Sequence, residues 1–367
     1  MLSVLLALTV VSSVSAVQGK ADKTLDIYVV DTEGGKATLF VAPSGESLLI
    51  DSGSPGGRDT DRIMAVVTDA GIKQIDYLLS THYHVDHIGG MQELAKRIPI
   101  KHFIDHGPTV EEREQIQGFQ QAYAELYGKA AHTVVKPGDK VPIAGVDWRI
   151  VTSAGHALKT PLPDGGQANP YCAEFKPREN LRDPENGQSV GSAITYGKFR
   201  AVDLGDLLWN NEFNLMCPKN PIGTIDLYLV SHHGTDPSGS PVLVHALAPR
   251  VAVMQNGTRK GGTLQTYQTL RSAPRLQDIW QLHWSYNGLL EHNPPALFIA
   301  NVDDPQVVAA ILTAQPPSSG APGGAPGGGR GGHTGPAFLI KIAAHADGSF
   351  VVTNTRNGFS KTYGPHP

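Results

Sequence analysis

Four side chains of metal-binding type stand within six residues in the stretch Thr81-His82-Tyr83-His84-Val85-Asp86-His87-Ile88-Gly89-Gly90. Imidazole nitrogen and carboxylate oxygen are ordinary protein ligands of zinc, and residues two apart on a loop can turn toward one ion. A single histidine in a polar loop is usually a surface residue. Three of them with an aspartate at this spacing point to a metal centre. Such a centre offers activation of water and polarisation of a substrate oxygen.

The elements that must hold this loop show on either side of it. Ile75-Asp76-Tyr77-Leu78-Leu79-Ser80 is an apolar run of strand character, and Gly90 to Arg97 has a helical pattern, so the histidines fall on a strand-to-helix loop. Three short strands precede them, over 25–31, 37–41 and 47–51, the last ending in Asp51-Ser52-Gly53. A helix is predicted from Asp59 to Ala70 with Gly71 as its stop. After the motif come a strand over 100–105 running to His106, a helical pattern over 110–127, and a strand from Trp148 leading into Gly155-His156. A hairpin over 190–204 turns at Gly197-Lys198 and leads to Gly205-Asp206. An apolar strand over 225–230 then delivers Ser231-His232-His233-Gly234. Strands over 337–342 and 349–354 flank a turn at Asp347-Gly348 and are expected to close the second sheet.

His82-x-His84-x-Asp86-His87, with Gly89-Gly90 behind it, resembles the HxHxDH signature of the metallo-β-lactamase superfamily. Within it the chain is similar to the ComEC-like, competence-type branch. The landmarks are Asp31-Thr32-Glu33-Gly34-Gly35, Leu49-Ile50-Asp51-Ser52-Gly53, Leu204-Gly205-Asp206 and Val230-Ser231-His232-His233-Gly234, in the family's order over residues 24 to 256. The resemblance implies an α/β fold, an αββα four-layer sandwich, with one or two metal ions in a cleft at the sheet edges. It is a sharper statement about fold than about substrate.

The resemblance also implies a ligand set. His82, His84 and His156 would hold one zinc; Asp86, His87 and His233 would hold a second; Asp206 would bridge them, with Asp203 its near alternative. His232 and His233 can exchange roles, His232 otherwise reaching the leaving group. Asp51 would support the metal loop, or simply end its strand. Asp86 could also orient the nucleophile, which in this family is a metal-bridging hydroxide rather than a serine or cysteine. Export, a slightly acidic charge and an inserted loop leave a small ester, lactone or β-lactam beside the phosphodiester that ComEC-like similarity suggests. An iron redox centre and a non-catalytic exported metal binder are the more distant readings.

Composition bounds the partners. The formal net charge is −4 and no Lys/Arg cluster adjoins the motifs. Nucleic-acid binding draws most of its affinity from cation–phosphate contacts, so nucleic acid is a possible substrate that the charge does not favour. Residues 1–16 are apolar and end in Val14-Ser15-Ala16, the pattern of a secretory signal peptide, although no basic residue precedes the run. The stretch is too short to span a bilayer. The expected address is therefore periplasmic or secreted, with one domain over 24–367. Cys172 and Cys217 are the only cysteines, either a disulfide or two buried thiols. Residues 159–189 are rich in Pro, Gly and Asn and read as an inserted loop over the cleft. Residues 315–335 are Pro/Gly low complexity and read as a flexible loop.

Overall fold

The computed structural model describes residues 23–181, 183–287, 290–302 and 336–365. The expected signal peptide and the 315–335 segment lie outside them. Apolar residues alternate along the strands, and period-two alternation sends neighbouring side chains to opposite faces. Leu48 and Ile50 face one way while Leu49 faces the other; Leu227 and Leu229 are likewise opposed to Tyr228. A sheet that is apolar on both faces must be covered on both.

Two sheets meet that demand by packing on each other. The first runs, edge to edge, through Ser360–Tyr363, Phe350–Asn354, Ile340–Ala344, Leu25–Val29, Thr38–Val41, Ser47–Ile50, Ile75–Leu79, Ile100–Asp105 and Ala131–Val134. The second runs through Ile299–Asn301, Asp278–His283, Val251–Met254, Leu227–Leu229, Phe199–Asp203, Gly191–Tyr196, Asp147–Ser153 and Lys140–Val141. Val29, Ile50, Leu79, Trp148, Leu229, Trp280 and Phe350 fill the layer between them. Helices Arg58–Asp69, Met91–Arg97 and Glu114–Tyr127 cover the outer face of the first sheet through Ile63, Val67, Leu94 and Tyr123. Helices Trp209–Met216, Pro241–Leu247 and Leu264–Arg271 cover the second through Leu215, Leu243, Leu247 and Leu270. The layers are therefore αββα, as expected.

Two expectations are corrected. The strands Ile340–Ala344 and Phe350–Asn354 join the first sheet, not the second. Leu25–Val29 has an open edge that Ile340–Ala344 pairs antiparallel, and a third strand, Ser360–Tyr363, follows. The 159–189 segment is also not wholly irregular. Gln167–Ala168 pairs with Lys219–Asn220, and Cys172 is disulfide-bonded to Cys217 with their Cα atoms 5.8 Å apart. No described helix is long and apolar enough to cross a membrane.

Candidate metal centre

The site gathers where parallel strands end. Ser47–Ile50 and Ile75–Leu79 run parallel, as do Phe199–Asp203, Leu227–Leu229 and Val251–Met254. Their carboxyl ends release Asp51, the His82–His87 segment, Asp206, His232-His233 and Lys260 into one crevice, the usual place for a site in such sheets. Asp86 and His87 lie on a short helix, Val85–Ile88, rather than on open loop. Tight packing fixes that helix: a Cβ at Gly90 would stand 2.3 Å from the carbonyl oxygen of Ser52. His232 and His233 both have positive φ, 52° and 56°, a cost the fold bears to turn two adjacent imidazoles into the crevice.

Four donor atoms form two triangles that share the His87–His233 edge. Asp86 Oδ2, His87 Nε2 and His233 Nε2 are 3.3 Å from one another. Asp206 Oδ2 lies 3.3 Å from His87 Nε2 and 3.4 Å from His233 Nε2. An ion just off the plane of either triangle would stand about 2.0 Å from its three corners, the length of a zinc–nitrogen or zinc–oxygen bond. Beside it, His82 Nε2 and His84 Nδ1 are 3.1 Å apart, and His82 Nε2 is 3.9 Å from Asp206 Oδ2. Asp206 thus faces both groups, and its buried Oδ1 has no hydrogen-bond partner among the described residues.

Neighbouring groups turn the imidazoles. Asp51 Oδ2 accepts the Nδ1–H of His87 at 2.8 Å. It also accepts the Thr81 hydroxyl at 2.7 Å, so that hydroxyl is left to accept from His82 Nδ1 at 3.0 Å. His233 Nδ1 donates to the Gln255 carbonyl at 3.2 Å. Each arrangement leaves Nε2 aimed at the crevice, the role of outer partners around metal-binding histidines. Asp51 therefore does what the resemblance implied.

Charge follows the same logic. Burial opposes ionisation of Asp86 and Asp206, yet both carboxyls are held well below the usual range, Asp86 by Lys260 and His87, Asp206 by His233 and His87. Burial, with His87 and His84 alongside, drops His82 well below its ordinary value. His87 moves the other way: burial alone would lower it, but Asp206, Asp86 and Asp51 raise it well above normal. A cation taking the place of that proton would release it on binding.

Asp203 does not enter the crevice. It accepts a buried ion pair from Lys36 at 2.8 Å and the backbone N–H of Gly205 at 2.9 Å. His156 also departs from expectation. Ala154 and Gly155, both at positive φ, fold His156 back against Ser153, where it is exposed and belongs to none of the ligand groups among the described residues. His106 is buried but serves Glu185, its Nε2 standing 2.8 Å from Glu185 Oε1. Glu185 also accepts the Tyr83 N–H at 3.0 Å and so ties the inserted segment to the metal loop.

Several residues escaped the sequence reading. Lys260, in a Gly-rich turn, forms an ion pair with Asp86. Arg113 stands 3.0 Å from His84 Nε2, with Asp183 and Glu111 near. Asn186 approaches His232 at 3.4 Å. His283 pairs with Asp31 at 2.7 Å and steadies the 31–35 landmark. A lone basic residue in a strand-end turn was the one signal that could have found Lys260.

Comparison with known proteins fits this picture. Residues 31–167 match the metallo-beta-lactamase superfamily model. The chain is 23% identical over 258 residues to competence protein ComA of Neisseria gonorrhoeae, covering 70% of this chain and 31% of that protein. It is 26% identical over 230 residues to ComE operon protein 3 of Bacillus subtilis, covering 63% of this chain and 26% of that protein. The chain thus spans about a quarter to a third of the length of these relatives. Among solved structures, CmlA, a diiron β-hydroxylase from Streptomyces venezuelae, aligns with a TM-score of 0.37 at 15% identity, covering 71% of this chain and 48% of that one. The fold, the His/Asp cluster and the sequence matches make this chain similar to the metallo-β-lactamase superfamily, over residues 31–167, and to its ComEC-like branch.

Proposed function

We propose that this protein is a metal-dependent hydrolase acting on phosphodiester-type substrates. The observation that carries the reading is the pair of donor triangles sharing His87 Nε2 and His233 Nε2, one closed by Asp86 Oδ2 and the other by Asp206 Oδ2, with edges of 3.3–3.4 Å. Those residues would hold one divalent ion, with zinc the ion whose bond lengths they suit. His82 and His84, the first pair along the chain, would hold the other, with Asp206 shared, giving two zinc per chain. When bound, such ions supply an activated water and polarise the oxygen under attack.

The chain's own residues do the rest. Asp51 and Thr81 fix the imidazoles before any substrate arrives, so little reorganisation accompanies reaction. Asp86, which carries the Lys260 ion pair, would orient the attacking water. Lys260 and Arg113 put cations on either side of the centre, which suits an anionic substrate. The ComEC-like resemblance adds to the phosphodiester preference. The Cys172–Cys217 disulfide suits an exported protein, as the N-terminus suggests.

The test is elemental analysis of purified protein beside hydrolysis of bis-p-nitrophenyl phosphate. Two zinc per chain with turnover is expected, and Asp206→Ala should lose metal and activity together. Two zinc with turnover only on esters, lactones or lactams would replace the substrate class. Iron in place of zinc, or no metal at all, would overturn the reading.

A further inference from the structure

The two metal positions are unequally furnished. The first has His82 Nε2 and His84 Nδ1, with Asp206 Oδ2 at its edge, and His156 is turned to solvent. Two other side chains lie near that position, one beside Asp206 and one beside that neighbour. His232 Nε2 lies 3.6 Å from Asp206 Oδ2. Its Nδ1 is 3.1 Å from Ser238 Oγ, and the Ser238 hydroxyl donates to the Leu207 carbonyl at 2.7 Å. That hydroxyl has one hydrogen, so Ser238 accepts from His232. His232 therefore carries its proton on Nδ1 and presents a lone pair at Nε2.

Asn186 is the second. It is only 2% exposed, its Nδ2 lies 3.4 Å from His232 Nε2, and its Oδ1 has no hydrogen-bond partner among the described residues. A buried amide oxygen without a partner costs stability and calls for an explanation. Its position is enforced. The Asn186 N–H donates to Asp183 Oδ1 at 3.3 Å, and neighbouring Glu185 is pinned to Tyr83, between His82 and His84. The Asn186–Gln188 turn also packs on the turn before His156, since Ala154 N–H donates to the Gln188 carbonyl at 3.0 Å.

We infer that His232, through Nε2, and Asn186, through Oδ1, complete the first metal position in place of His156. This rests on the metal-dependent reading above and adds to it that the inserted segment contributes a ligand. A neutral amide oxygen is a harder and weaker donor than imidazole. The first position therefore binds zinc more weakly than the second and accepts manganese more readily.

Titration of the metal-free full chain with Co2+, followed by visible absorbance and calorimetry, tests this. Wild type should show two binding events of different strength. His232→Ala and Asn186→Ala should each weaken the weaker event at least tenfold and spare the tighter one, while His156→Ala leaves both unchanged. Asn186→Asp, which puts a charged oxygen in the same place, should tighten the weaker event relative to Asn186→Ala; this separates ligation from a merely loosened insert. A His156→Ala chain that loses the weaker event, or His232→Ala and Asn186→Ala chains that keep it, would overturn the inference while leaving the two-ion reading standing. A wild type with one event or none overturns both before any variant is compared.

Discussion

Asp51 receives the Nδ1–H of His87 at 2.8 Å from a strand end 36 residues earlier in the chain. It is itself held at a φ of 58°. One carboxylate thus joins the third strand to the metal helix and sets which nitrogen His87 turns to the crevice. Asp51→Asn keeps the size and tolerates positive φ, but gives up one of the two oxygens that serve His87 and Thr81. Zinc affinity is expected to fall about 10- to 100-fold, the usual effect of removing an outer partner. Calorimetric titration checks this, with circular dichroism to show the fold unchanged.

Lys260 occupies Asp86 as a cation would. Its removal should therefore act in opposite directions on metal and substrate. Lys260→Ala is expected to tighten zinc binding, since a competing ammonium is gone. It should also raise KM for a phosphodiester about 10- to 100-fold, from loss of a charged hydrogen bond of about 1.5–3 kcal/mol. Parallel metal titration and steady-state kinetics read the two effects. A fall in metal affinity would count against this role for Lys260.

Glu212 gives a pH signature away from the metals. Its buried carboxylate accepts the N–H groups of Gly239 and Ser240, each at 2.7 Å, and so anchors the loop that carries Ser238 to His232. Burial pushes its carboxyl up to about 7 in spite of those bonds. A carboxyl raised on folding binds more protons folded than unfolded, so its contribution to stability declines as pH rises from its unfolded value to about 7, then levels. Glu212→Gln removes that slope. The stability gap between wild type and variant should shrink by up to about 3 kcal/mol between pH 4.5 and 7. Urea midpoints across that range measure it, and a gap that widens with pH would refute the assignment.

The Cys172–Cys217 bond closes 45 residues between the inserted segment and the helix Trp209–Met216. Loop-closure entropy for that length corresponds to about 4 kcal/mol. Reduction, or the double change to Ala, is expected to lower the unfolding free energy by about 2–4 kcal/mol and to expose residues 159–189 to protease. Denaturation and limited proteolysis with and without reductant provide the comparison. The insert also carries Asn186 and Glu185, so zinc should protect it.

The sequence by itself determined the layers and most of the side chains that gather in the crevice. Period-two apolar strands and amphipathic helices specify buried faces locally, and His82, His84, Asp86 and His87 lie so close in the chain that short-range geometry gathers them. Gly205-Asp206 and the His232-His233 pair were legible because each ends an apolar strand. What only the tertiary structure decided depends on chain segments distant in sequence. Two residues at positive φ turn His156 outward, and no spacing rule reports that turn. Lys36 claims Asp203 for a buried ion pair across more than 160 residues, leaving Asp206 for the crevice. Asn186 comes beside His232, and Lys260 beside Asp86, from an insert and a glycine turn whose local sequence carries no metal-binding pattern. Strand pairing, too, is settled by which edge is open. That is why the closing hairpin lies beside Leu25–Val29 rather than on the second sheet.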